Sequence, residues 1–473
     1  MRHPDHPQHR PSRGQPSGER LTNLNRSHTL TSVTETSRSD EPDPTTAERR
    51  RGGLWRDRNF LTFWGGQSLA QFGSQITELA LPVLAVLVLG ATEWEVGVLN
   101  AAGVAAFLVI GLPAGAWIDR MRKRHVMIAA DAVRIVALAT IPALWAIGVL
   151  QVWHLVVIAL VIGVATVFFD VSYQSVVPSL VRGTAIPEAN GKLEATHQLA
   201  GIAGPALGGW LVGVLTAPFA VLATAGTYVA SLLALLFTRD DEVVAPRHEH
   251  EPIVRAIGVG VRWVFANPYL RRIVGTTAVS NFFSVITYTM LPIFLLRELG
   301  LSPAGMGVVF SFGAVGGLLG AVATPHIVRW LGEARAIPIS SIGFSVAGLF
   351  LPAAALVPEI AFVVLVVQSA VGMFTVLVYN IVQVSFRQRI TPKPLLGRMN
   401  ASIRFFVWGV MPIGALLAGV LGTAYGAVVT MWIGAIGGML SILFVVIGPF
   451  WALRELPGVT IEDEATAEAL IKD

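Results

Sequence analysis

Residues 195–238 read ATHQLAGIAGPALGGWLVGVLTAPFAVLATAGTYVASLLALLFT, 44 positions without Asp, Glu, Lys or Arg. A helix that crosses a bilayer needs about 20 apolar residues, so this stretch holds two crossings. Thr216-Ala217-Pro218 supplies the turn between them. Phe405–Leu453 repeats the arrangement over 49 residues, with its turn near Thr423–Gly426. Val96–Ile118, Ile273–Leu296, Ala336–Pro358 and Ile360–Phe386 are single uncharged runs of 23 to 27 residues. Continuing outward predicts twelve spans, at about 60–89, 96–118, 126–147, 152–173, 194–215, 218–238, 272–295, 303–328, 336–356, 359–383, 399–422 and 427–451. Only helices or closed barrels satisfy the backbone in lipid, and these runs are far too long for barrel strands. The fold class is an all-α membrane protein.

Composition agrees. Of 473 residues only 14% are charged and 53% are hydrophobic, with a mean hydropathy of +0.64. A soluble domain carries about 25% charge, which leaves a soluble enzyme without the polar surface it needs. With no cysteine there is no disulfide, thiolate metal site or cysteine nucleophile. No HExxH, GxSxG or phosphate-binding loop occurs, which argues against a membrane-embedded enzyme and an ATP-driven pump, and implies no cofactor or metal.

A net charge of +4 and a pI near 9.6 raise the question of nucleic acid. The placement of the basic residues answers it. The loops Thr92–Glu95, Gly148–Gln151, Thr216–Pro218, Leu356–Pro358 and Thr423–Gly426 contain no Lys or Arg, and Arg297 is the exception on that side. The opposite side holds Arg120 to Arg124, Arg182, Lys192, six Arg from Arg239 to Arg272, Arg329, Arg335 and Arg387 to Arg398. The positive-inside rule then places both termini in the cytoplasm of a multi-pass plasma-membrane protein, with the charge as an orientation signal rather than a nucleic-acid surface.

The sequence repeats itself at an offset of about 210. Ser74-Gln75-Ile76-Thr77 with Leu81-Pro82 matches Ser284-Val285-Ile286-Thr287 with Leu291-Pro292, Gly90 matches Gly300, and Gly97 matches Gly307. Six spans separate the copies, so the halves share one topology and form a parallel repeat. The expected organisation is a disordered cytoplasmic tail at 1–54, a six-helix half at 55–238, a linker at 239–271, a second six-helix half at 272–453 and a tail at 454–473. The tail at 1–54 lacks the apolar stretch of a signal peptide, and a true start downstream of it is the alternative. Within the linker, Ile253, Ile257, Val261 and Val264 share one helical face, which reads as an amphipathic helix at the membrane interface. Two such halves suit a transporter that rocks about a cavity near the midplane.

Two motifs stand out. Between spans 2 and 3, Gly111 to Arg124 joins small residues to Asp119 and then to Arg120, Arg122, Lys123 and Arg124. Small residues allow close helix contact, and a carboxylate is favoured near a helix N-terminus. In span 5, Gly201-Ile-Ala-Gly204-Pro205-Ala-Leu-Gly208-Gly209 makes a smooth, bendable face for close packing.

The first segment resembles motif A of the major facilitator superfamily, with Arg122 standing where the pattern has its second glycine. The second resembles motif C, Gly-Pro-x-x-Gly-Gly, which characterises that family's antiporters. The resemblance covers about 55–453. Its details, including Asp131 and Arg134 in span 3 and Phe169 to Gln174 in span 4, are similar to the drug-exporter branch with macrolide-efflux and siderophore-exporter members. It implies the major facilitator fold and a secondary active exporter of hydrophobic small molecules, working by proton antiport and alternating access. An importer or facilitator of the same fold is the alternative. It further implies a cytoplasmic latch at Gly115, Asp119, Arg120, Lys123 and Arg124, and an antiporter helix at Gly204, Pro205, Gly208 and Gly209. Span 4 departs from the family: Val152–Phe169 has no basic residue except His154, so the arginine of motif B is missing.

Charges inside spans are expensive, about 2.5–3.5 kcal/mol on insertion scales, and so mark function. Glu78, deep in span 1, is the candidate for proton coupling. Asp131, Arg134, Asp170 and Arg404 are expected to form a charge network, with Asp131 and Arg134 spaced to pair and Arg404 a partner for Asp119 or Asp170. Asn100, Gln198, Asn281, Tyr288, Gln368 and Asn380 are polar positions that can line the cavity, and Phe283, Phe374 and Trp408 can stack on cargo. The expected partners are the bilayer, a hydrophobic small molecule and protons, without nucleic acid, for a monomer.

Overall fold

The computed structural model describes residues 54–118, 121–181, 185–239 and 253–459. Apart from Leu54, the expected tail at 1–54 lies outside them. Each half begins with the same device. Asp57 accepts hydrogen bonds from the amides of Asn59 and Phe60 at 2.9 and 3.1 Å, and Asn267, 210 positions later, accepts from Tyr269 and Leu270 at 3.0 and 3.1 Å. A side-chain oxygen of this kind satisfies amides that the first helical turn leaves without partners.

The helices that follow are α1 (Arg58–Val83), α2 (Glu93–Ile118), α3 (Lys123–Ala146), α4 (Val152–Leu180), α5 (Ile186–Leu215) and α6 (Ala217–Phe237). After the linker helix Ile253–Ala266 come α7 (Pro268–Ile293), α8 (Pro303–Leu331), α9 (Glu333–Ala353) and α10 (Ala361–Ile390). The remaining helical run divides at Gly426, where φ is 81°, into α11 (396–425) and α12 (427–446). Among the described residues this gives the twelve expected crossings. The fold is all-α.

The repeat extends to fine detail. Both α1 and α7 end in a wider π turn, Leu84–Val88 and Phe294–Glu298, closed by Gly90 and Gly300 at φ 65° and 63°. Left-handed φ values cost a side-chain-bearing residue more than they cost glycine. Thr216 takes φ 67° at the turn between α5 and α6, where the sequence placed that turn.

The termini of the described chain and the linker share one end of the bundle. At the opposite, far end one apolar core draws on both halves, including Leu84, Leu99 and Val221 from the first and Phe294, Met306 and Met431 from the second. At the linker end each half keeps a core of its own, around Phe60, Phe63 and Phe169 or around Trp263, Phe386 and Phe450. The linker helix forms as expected, but its buried side rests on protein. Trp263 and Val264 are buried, and a Cβ on Gly260 would stand 2.2 Å from the Arg398 carbonyl of α11. Ile253 and Ile257 lie outside the described side chains, and Val261 is half-buried.

Candidate functional site

Glu78 lies 20 residues after the start of α1 and ten before the end of its π turn. At about 1.5 Å per residue that is roughly two-thirds of the way to the far end. Its side chain is exposed to two cavities between the halves, of about 370 and 430 Å³. Tyr288, at the matching position of α7, lines both of these and a third cavity of about 270 Å³ inside the second half. Among the described residues, no hydrogen bond or ion pair reaches the Glu78 carboxylate. The larger cavity is otherwise mostly apolar, with Leu81, Leu99, Leu291, Met306 and Phe310 on its wall.

The polar positions singled out in the sequence meet here. Asn100 lines the larger of the two cavities at Glu78 and donates to Thr289 at 2.8 Å, a bond from one half to the other. Asn281, Gln368 and Asn380 line the cavity of the second half. Gln198 does not join them; it donates to Glu194 at 2.7 Å. Of the aromatic residues, Phe283, Phe374 and Trp408 line none of the three cavities, and Phe310 and Phe344 do. Phe283 instead covers the bare backbone of Gly437, and Trp408 packs edge-on to Phe107 at 5.6 Å. Periodicity gives a helical face, but only packing shows which neighbour that face meets.

The motif C helix closes the far end of the site. A Cβ on Gly204 would stand 2.5 Å from Cβ of Gln75, and one on Gly208 would stand 3.1 Å from Cα of Ile76, so this face of α5 lies directly on α1. A Cβ on Gly209 would stand 2.4 Å from the Pro303 carbonyl of α8, and one on Gly307 would stand 2.3 Å from the Pro205 carbonyl. Proline at 205 cannot donate to the α5 ladder, and the next amide, Ala206, donates to Ser311 of α8 at 3.2 Å. The other seam joins α2 to α11, where a Cβ on Gly97 would stand 2.8 Å from Cα of Gly419. Arg297, the exception among far-end loops that lack Lys and Arg, donates to the Val86 carbonyl across the halves at 2.8 Å.

Of the expected charge network, the described residues show the pair of Asp131 and Arg134. Arg134 donates to Asp131 at 3.2 Å, Ser231 donates to the other Asp131 oxygen at 2.7 Å, and Gln67 donates to Ser231 at 3.1 Å. The Arg134 guanidinium lies over the rings of Phe169 and Tyr228 at 4.4 and 5.2 Å, a cation–π arrangement. Asp131 and Arg134 are buried within the first half and line none of the three cavities. Asp170 is half-buried nearby. Arg404 stands apart on α11, its guanidinium 5.6 Å from the Trp408 ring, and makes no ion pair with Asp170 among the described residues. The sequence offered no spacing to join α11 to α4.

Of motif A, Asp119 and Arg120 lie outside the described residues, and Gly115 is described only as backbone within α2. Lys123 opens α3. Arg124 donates to the carbonyls of Leu235 and Leu236 at 2.7 and 2.8 Å, placing a cation on the C-terminal end of α6, where the helix dipole favours it.

Comparison with known proteins agrees with this architecture. The model of the Major Facilitator Superfamily matches residues 63–411. The chain is 27% identical over 367 residues to the multidrug efflux pump Tap of Mycolicibacterium fortuitum, covering 75% of this chain and 87% of that one. It is 23% identical over 401 residues to macrolide efflux protein A of Streptococcus pyogenes, covering 82% and 95%. Among solved structures, a bacterial homologue of the iron transporter ferroportin in its inward-facing state aligns with a TM-score of 0.63 at 18% identity, over 84% of this chain and 100% of that one. At that identity the likeness concerns the fold alone.

Proposed function

The chain belongs to the Major Facilitator Superfamily, and from that premise we propose that it exports hydrophobic small molecules by proton antiport through alternating access. The observation that carries this reading is Glu78: a carboxylate without a partner among the described residues, facing a mostly apolar cavity between the halves. There it holds a proton when facing one side and releases it when facing the other, and its charge attracts cationic cargo. Relatives that are efflux pumps and an intact motif C favour export.

The bound partners are the lipid bilayer, a hydrophobic cargo molecule and protons, and the working unit is a monomer without nucleic acid. With the basic loops inside, both termini face the cytoplasm across the plasma membrane and the far end faces out. The halves meet at the far end and keep separate cores at the linker end, so this geometry suits loading from the cytoplasm. Rocking the halves opens the far-end seam. The loop of Gly115, Asp119, Arg120, Lys123 and Arg124 latches the cytoplasmic side, anchored by Arg124 on α6.

The test is a susceptibility panel in an efflux-deficient host, with and without an uncoupler. Wild type raises resistance to hydrophobic toxins, the uncoupler abolishes the gain, and Glu78→Gln inserts normally but confers none. Full gradient-driven efflux by Glu78→Gln removes Glu78 as the coupling group. Cargo accumulation in place of resistance reverses the direction. Asp119→Asn slows transport while sparing cargo binding; an unchanged rate counts against the latch.

A further inference from the structure

The third cavity, inside the second half, has an origin that the repeat makes visible. In the first half, positions 138, 162, 224 and 228 hold Leu, Ile, Thr and Tyr. Leu138, Thr224 and Tyr228 are buried there, and Ile162 packs against the same core. At the positions 210 further along stand Gly348, Gly372, Gly434 and Gly438, and all four line the cavity. A Cβ on Gly348 would meet nothing within 4 Å, and one on Gly438 would meet only the Cβ of Phe283, at 3.8 Å. A Cβ on Gly372 would stand 3.4 Å from the Gln368 amide nitrogen, and one on Gly434 would stand 2.3 Å from the Thr287 hydroxyl, so Gly434 is a packing contact. At Gly348 and Gly438 the second half has exchanged core side chains for part of a cavity of about 270 Å³.

Among the described residues the wall of that space is uncharged, and it mixes polar groups with apolar ones such as Phe344, Leu351 and Met373. It carries Ser280, Asn281, Ser284, Ser345, Gln368 and Asn380, and no Asp, Glu, Lys, Arg or His. Ser345 is 6% exposed and Gln368 7% exposed, and among the described residues neither the Ser345 hydroxyl nor the Gln368 amide has a hydrogen-bond partner. A purely apolar occupant leaves these groups unpaired, and an ion finds no opposite charge.

We propose that this cavity binds an uncharged, hydroxyl- or amide-rich group of the cargo, such as a neutral sugar ring. The apolar body of the cargo then lies past Tyr288, along the Glu78 side. This deepens the export reading above and rests on it. A site built to hydrogen-bond a hydroxyl rejects the analogue that lacks it.

The test uses the full-length protein in nanodiscs and two radiolabelled probes, erythromycin A and its descladinosyl derivative. They carry the same amine and differ by one neutral sugar. Wild type should bind erythromycin A at least about tenfold more tightly. Ser345→Ala combined with Gln368→Leu, and separately Gly348→Leu, which refills the cavity where a side chain has room, should erase that preference. Binding of the descladinosyl probe should hold within about twofold, which also shows that the variants are folded. Equal wild-type affinities, binding of neither probe, or variants that weaken both probes alike would overturn the proposal. Efflux is scored separately. A lost preference in the variants with no uncoupler-sensitive efflux in cells overturns the export reading and keeps the subsite; the reverse pattern overturns the subsite alone.

Discussion

In the first half, positions 78, 131, 134 and 170 hold Glu, Asp, Arg and Asp; 210 positions further along, the same places are Tyr288, Ser341, Phe344 and Asn380. The backbones around them agree, from the caps at Asp57 and Asn267 to the π turns and their glycines. Where the first half links Gln67, Ser231, Asp131 and Arg134, the second places Thr277, Ser441, Ser341 and Phe344, and the hydroxyls of Ser341 and Ser441 are buried without partners among the described residues. Tyr379, at the position of Phe169, bonds Thr277 at 2.9 Å instead. A six-helix half therefore folds without the ion pair. Caps, turns and close-packing glycines specify the architecture, and the charges of the first half are additions to it.

That comparison is easiest to break at the buried pair. Asp131→Asn breaks the buried pair and leaves Arg134 with only the half-buried Asp170 nearby; it should cost up to about 3–5 kcal/mol, seen as a large fall in the melting temperature of the purified protein. Copying the second half, with Asp131→Ser and Arg134→Phe together, should recover most of that loss. If the double variant is no more stable than the single one, the halves are not interchangeable at this site.

The seam glycines come next, because they are a feature the halves share. Gly97 and Gly307 each sit against the backbone of the opposite half. Gly97→Leu should force the far end apart. The chain has no cysteine, so Met306→Cys, at a position buried at the far end, is a unique reporter. It should resist a membrane-impermeant maleimide in the native seam and react when Gly97→Leu is added. Unchanged labelling would mean that the seam tolerates the side chain.

Smaller effects sharpen the picture. Arg124→Ala removes the cation from the end of α6 and should lower stability by about 1 kcal/mol, a difference of a few degrees on melting. Asn100→Leu removes the bond to Thr289 between the halves. Interhelical hydrogen bonds in membranes average about 0.6 kcal/mol, so its signature is a modest rise in Met306→Cys labelling with little change in melting.

Much of this was legible in the sequence because lipid imposes a strict code. Charge-free runs give the spans, and Thr216 and Gly426 mark the turns within the two longest runs. Asp131 and Arg134 pair as their spacing implies, and Asn100, Asn281, Tyr288, Gln368 and Asn380 line cavities because a polar group in a span needs a polar place. Phe283, Phe374 and Trp408 line none of the three cavities because their neighbours come from helices far away in the chain, and the Asp119 expected as one partner of Arg404 lies outside the described residues. Ser345 and the four cavity glycines look like ordinary small residues in an apolar run. Comparing the two halves position by position is the signal that reveals them.

The sequence by itself determined the number of crossings, the repeat and the sorting of charge, since each follows from the local cost of placing a residue in hydrocarbon; it did not show that helices such as Val152–Leu180 and Ile186–Leu215 run on past the uncharged stretch. The tertiary structure alone decided which glycines form the seam, that Glu78 faces the cavity while Asp131 is sealed in the protein, and that the second half is hollow where the first is filled. These depend on which surfaces meet, and lipid, as apolar as the helices it surrounds, leaves that choice to close packing and hydrogen bonds.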